Sequence, residues 1–90
     1  MKISWNPLKA KQNRKKHGVC FPDVEEVFYD PHAIQDEDIA AVGEQRFVVL
    51  GKGSTGRHYV VIYCYQDRAV RIISARKASK AEIRIYEKGI

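Results

Sequence analysis

Ninety residues provide for one small domain with one hydrophobic core, which excludes an enzyme built from separate cofactor and substrate halves. Hydrophobic side chains make up 44% of the chain, too many for a disordered protein, yet the longest apolar stretches, Phe47 to Leu50 and Tyr59 to Tyr65, fall far short of the roughly 20 residues of a membrane-spanning helix. The net charge of +5 is laid out in blocks: six basic and no acidic side chains in residues 1–22, eight acidic and no basic in 23–44, and ten basic against three acidic in 45–90.

Lys2 to Trp5 reads as a short strand closing at Asn6-Pro7, a helix N-cap followed by a residue suited to the first helical position. Good helix formers from Pro7 to His17 predict the first helix, and Gly18 is placed to end it in a left-handed turn. A second short helix is expected from Pro22 to Phe28, with Asp23, Glu25 and Glu26 near its positive end and Val24, Val27 and Phe28 facing the core. Asp30-Pro31 breaks that pattern, and the acidic stretch His32 to Gly43 holds at most one short strand around Ala33 to Gln35. Arg46 to Leu50 is a strand, Gly51 to Gly56 a glycine-rich turn, and the strand from Arg57 or His58 to Tyr65 is apolar on both faces, which places it centrally in a sheet. Tyr59, Tyr63 and Tyr65 are read as packing residues rather than a platform for bases. After a turn at Gln66 to Ala69, Val70 to Lys77 completes an antiparallel meander. Ser79-Lys80-Ala81-Glu82 is a capping box opening a last helix, Lys80 to Lys88, that docks Ile83 and Tyr86.

The order β-α-α-(β)-β-β-β-α predicts a single α+β domain over residues 1–90, helices against an antiparallel sheet. The polar, basic N-terminus shows no secretory leader, so a cytoplasmic location is expected, with Cys20 and Cys64 as reduced thiols and no membrane contact. The two basic blocks favour a polyanion such as RNA on one face; three ordinary solvated faces would give the same pattern.

Trp5-Asn6-Pro7-x-Lys9, Asn13-x-x-Lys16-His17-Gly18-Val19-x-Phe21, Val27-Phe28-x-Asp30-Pro31, Glu44-x-Arg46-Phe47, Gly51, Arg71-Ile72-Ile73-Ser74-Ala75-Arg76-Lys77-Ala78 and Glu82-x-x-x-Tyr86 resemble, in that order, the BrnT toxin family. The resemblance covers nearly the whole chain and departs mildly at Asn6, where Asp is usual, and at Cys20, where a small polar residue is common. It implies a RelE-like α+β fold and the toxin of a type II toxin–antitoxin pair, acting as a ribosome-independent endoribonuclease that inhibits translation and growth. The implied partner is a BrnA-like antitoxin with a ribbon-helix-helix part. The complex would repress its own operon, so operator DNA is reached only through the antitoxin.

RNA cleavage by the 2′-hydroxyl needs a base for its proton, an acid for the leaving oxygen and cations for the phosphate. Neither H-E-x-x-H, a cysteine-rich zinc pattern, an EF-hand loop nor a phosphate-binding loop occurs, so no metal or nucleotide cofactor is expected. Arg76, inside the most specific segment, is the first candidate to bind phosphate; the alternative is an ion pair with Glu44, Glu82 or Glu87. Glu44 beside Arg46 could take the 2′-hydroxyl proton, hold the guanidinium, or form a structural pair. His17 can exchange protons near neutral pH or simply complement the end of the first helix, and His32 and His58 lie outside the matching segments. Lys9, Lys11, Arg14, Lys15, Lys16, Arg57, Arg68 and Lys77 are candidates for the RNA backbone. In a regular strand Arg71 and Lys77 point away from the face of Arg76; a bulge would change that. The alternative to an enzyme is a non-enzymatic module binding nucleic acid or a regulatory protein through the same basic face.

Overall fold

The computed structural model describes residues 1–89. In chain order these form β1 (Ile3–Trp5), α1 (Pro7–His17), α2 (Phe21–Val24) running into a 3-10 turn (Glu25–Tyr29), β2 (Ile34–Asp38), β3 (Arg46–Lys52), β4 (His58–Gln66), β5 (Ala69–Lys77) and α3 (Lys80–Lys88). The strands make one sheet in the order β1-β5-β4-β3-β2, with β4 in the centre. The α+β class is as expected, but the sheet is mixed: β1 runs parallel to β5, pairing Ile3 with Val70 and Trp5 with Ile72, while the other neighbours are antiparallel. That pairing joins opposite ends of the chain and is specified by packing rather than by any local pattern, Trp5 meeting Phe21 edge-on at 5.9 Å.

Local chemistry explains the helix ends. The Asn6 side chain accepts from the Leu8 and Lys9 amides at 2.8 and 3.3 Å, and Gly18, at φ +69°, donates its amide to the Arg14 carbonyl at 2.8 Å. The second helix is α-helical only from Phe21 to Val24, not over Pro22 to Phe28. The tighter 3-10 turn that follows brings residues three apart onto one side, and Val24 and Val27 are both fully buried. β2 starts one residue later than expected and continues to Asp38, because its backbone pairs with β3 from Ile34 opposite Leu50 to Asp38 opposite Arg46.

One face of the sheet carries the core, where Val49, Val61, Tyr63 and Ile72 meet Val19, Phe21, Val24 and Val27. Tyr59 and Tyr63 are packing residues as expected. Tyr65 is not, being 63% exposed, although its ring touches Phe47 at 5.4 Å. In β5 the alternation reverses: β4 pairs Tyr63 with Ile72 and Ile62 with Ser74, leaving Ile73 as the extra residue of a bulge. Ile72 and Ala75 therefore both enter the core, and Arg71, Ser74 and Arg76, opposite Cys64, Ile62 and Val60, share the other face, while Lys77 lies opposite Tyr59.

Candidate active site

β1 covers β5 only from Val70 to Ile72, so the edge of β5 beyond the bulge is left to α1. Asn13 closes it as a neighbouring strand would. Its Oδ1 accepts from the Ala75 amide at 3.0 Å, and its Nδ2 donates to the carbonyls of Ala75 at 2.9 Å and Val19 at 3.1 Å. The side chain is buried, so these three bonds pin the second half of α1 beside the bulge.

That placement opens a concavity of about 330 Å³ between Lys9, Gln12, Lys16 and His17 of α1 and Ile73, Ser74 and Arg46 of the sheet. Arg46 begins β3, and its Nε is buried without a hydrogen-bond partner; the Glu44 carboxylate stands 3.7 Å away, close enough for attraction but not for a hydrogen bond. Cys64 lies between Arg71 and Arg46 across the strands. Burial and then the Glu44 carboxylate push its thiol above the usual range, with Arg71 and Arg46 opposing. Of the expected catalytic residues, His17 and Arg46 thus line one concavity with Lys16, an expected RNA-backbone contact, and Glu44 stands beside Arg46.

Arg76 stands apart from them in a completed pair. Its Nη1 and Nη2 donate to Glu82 Oε1 and Oε2 at 2.8 and 2.9 Å, and Nη1 also reaches the Lys77 carbonyl at 3.3 Å. Glu82 in turn accepts from the Ser79 amide at 2.8 Å while the Ser79 hydroxyl accepts from the Glu82 amide, so the pair ties the end of β5 to the cap of α3. The Arg76 guanidinium, with burial opposing, holds the Glu82 carboxyl down at about 2. The remaining cations are dispersed. Arg14 lines a concavity with Phe21 and Pro22, Arg57 and Lys77 line another with His58 and Ile83, and Arg68 occupies the β4–β5 turn at φ +62°.

Reading the sequence missed Asn13, Gln12 and Ser74, all inside or beside the matching segments but with no charge to single them out. It also missed why Asp30, Gly51 and Tyr86 belong together. Asp30 Oδ2 accepts from the Tyr86 hydroxyl at 2.6 Å and the Lys52 amide at 2.9 Å, and Oδ1 from the His32 amide at 2.9 Å. Burial works against this carboxylate, yet those bonds hold it below its ordinary range, while burial and Asp30 push Tyr86 up to about 12. A Cβ on Gly51 would come within 3.2 Å of Asp30 Oδ2 and 3.1 Å of Val27, so glycine makes the room.

A small α+β domain with a cationic concavity beside a carboxylate and an unpaired buried guanidinium nitrogen is suited to hold a polyanion. Residues 5–82 match the family described as ribonuclease toxin, BrnT, of type II toxin-antitoxin systems, and the chain belongs to that family. The structure is similar to the crystal structure of the Brucella abortus ribonuclease toxin BrnT, at a TM-score of 0.67 and 28% sequence identity, over 89% of this chain and 99% of that one. No curated protein matches the chain. Membership implies an RNA target and a protein antitoxin as partner. Among the described residues, no helix is long and apolar enough to cross a membrane.

Proposed function

We propose that this chain is a ribosome-independent, metal-independent endoribonuclease, a single catalytic domain over residues 1–90 whose active site is the concavity between α1 and the β5 bulge. The observation that carries this reading is the Arg46 Nε, a buried charged donor with no partner, on a side chain that lines the concavity with Lys9, Lys16 and His17. An unmade hydrogen bond from a buried donor nitrogen is costly, and because the Arg46 side chain is 38% exposed the remaining donors of the same guanidinium can reach a phosphate oxygen. In the reaction we assign, Arg46 and Lys16 hold the scissile phosphate and Glu44 takes the proton of the 2′-hydroxyl. The 2′-oxygen bonds to phosphorus as the bond to the 5′-oxygen breaks, and His17 returns a proton to that leaving oxygen. The products are a 2′,3′-cyclic phosphate and a 5′-hydroxyl. Arg76, on the same face of β5 as Ser74, is an accessory cation for the strand, with its fork held by Glu82. Arg14, Arg57, Arg68 and Lys77 add backbone contacts.

In this reading the protein acts in the cytoplasm, inhibiting translation and growth, until a BrnA-like ribbon-helix-helix antitoxin binds it; the complex represses its operon. The test is inducible expression of the chain alone, of Arg46→Ala, and of the chain with its neighbouring gene, reading growth and total RNA together. Growth arrest with RNA loss, relieved by the neighbour and absent in Arg46→Ala, is expected. Intact RNA with abundant folded protein would overturn the enzymatic reading and leave a non-enzymatic binding module.

A further inference from the structure

We propose that the concavity lined by Arg57, His58, Lys77 and Ile83 is a second RNA subsite, which takes the phosphate and base of a nucleotide flanking the one that is cut. The concavity measures about 440 Å³ and lies where the β3–β4 turn meets the start of α3. Among the described residues, neither Arg57 nor Lys77 has a carboxylate within salt-bridge distance, so both charges are available to an anion. Ile83 and Ala78 give the wall an apolar part against which a base can pack. The His58 ring is braced edge-on by Tyr86 at 4.7 Å, and its buried Nε2 is left without a partner by the protein.

The two concavities belong to one track. His58 and Ile62 lie on the same face of β4, and Ser74, which borders the proposed active site, is the partner of Ile62. Ser74 and Arg76 share this face of β5, about 7 Å apart and within reach of neighbouring nucleotides of one strand, and Lys77, on the opposite face at the end of β5, meets the second concavity from its rim. The inference rests on the ribonuclease reading, and the test separates the two. Uncleavable 2′-O-methyl oligonucleotides of about 4 and about 12 nucleotides are titrated into the full chain and into an Arg57→Gln, Lys77→Gln double variant over a range of salt. The longer probe should bind the variant about tenfold more weakly or worse, and its salt slope should fall by about 1.4, the value for two lost phosphate contacts on a single strand. The short probe should bind both proteins alike. If the wild type binds the longer probe and the variant binds it equally well, the subsite is wrong while the ribonuclease reading stands. An unchanged RNA affinity with weakened capture of the antitoxin would assign the concavity to that partner and overturn the proposal. A wild type that binds neither probe would overturn the ribonuclease reading itself.

Discussion

Two arginine–glutamate pairs, at opposite ends of the same sheet face, have opposite fates. Arg76 and Glu82 meet fork to fork at 2.8 and 2.9 Å, and each has a further backbone partner. Arg46 and Glu44 stand 3.7 Å apart in a single contact, with the Arg46 Nε orphaned and the side chains 38% and 56% exposed. The first pair is complete and has nothing left to offer a ligand except the outer edge of a guanidinium. The second is incomplete in a setting of further cations. Residue type cannot separate these roles; the count of unmade hydrogen bonds can.

The contrast can be broken by mutation. Arg46→Ala should lower the rate of RNA cleavage about 100- to 1000-fold, the loss typical of a removed charge-stabilising donor, and leave the melting temperature almost unchanged. Asn13→Ala should cost about 2–3 kcal/mol of stability, measured by urea unfolding, because it leaves the Ala75 amide and the Ala75 and Val19 carbonyls without partners, and it should loosen α1 from the bulge. Arg76→Ala should cost about 1–2 kcal/mol through the lost pair and the disturbed cap of α3, with cleavage per folded molecule down about tenfold at most.

The smallest effect is one of pH. The Glu82 carboxyl, ordinarily near 4.5, lies at about 2 in the folded chain, so its contribution to stability is fully present above about 4.5 and is lost as pH falls toward 2. Asp30, also depressed, adds a slope of the same sign. Urea midpoints at neutral and acid pH should therefore differ less in Glu82→Gln than in the wild type, without becoming equal.

Much of the fold was legible where the chemistry is local. Asn6-Pro7 and Gly18 bound α1, Ser79 and Glu82 cap α3, and the apolar faces of Tyr59 to Tyr65 place β4 in the centre. What escaped was long-range or two-sided. The parallel pairing of β1 with β5 has no local signal, and the Ile73 bulge leaves only a faint one, core residues at 70 and 72 followed by 75. Within the proposed site, His17, Arg46 and Glu44 could be singled out as candidates because titratable side chains in matching segments attract notice. The choice of Glu82 among three possible partners for Arg76, and the strand-like role of Asn13, depend on distances that exist only after folding.

The most direct measurement purifies Arg46→Ala and Arg76→Ala side by side and reads RNA cleavage and thermal melting on the same preparations. The expected pattern is crossed: Arg46→Ala melts like the wild type and has lost cleavage, whereas Arg76→Ala melts several degrees lower and keeps cleavage per folded molecule within about tenfold of the wild type. The reverse pattern, with Arg76→Ala inert at an unchanged melting temperature and Arg46→Ala still cutting RNA, would contradict the assignment of the open pair to chemistry and the closed pair to structure.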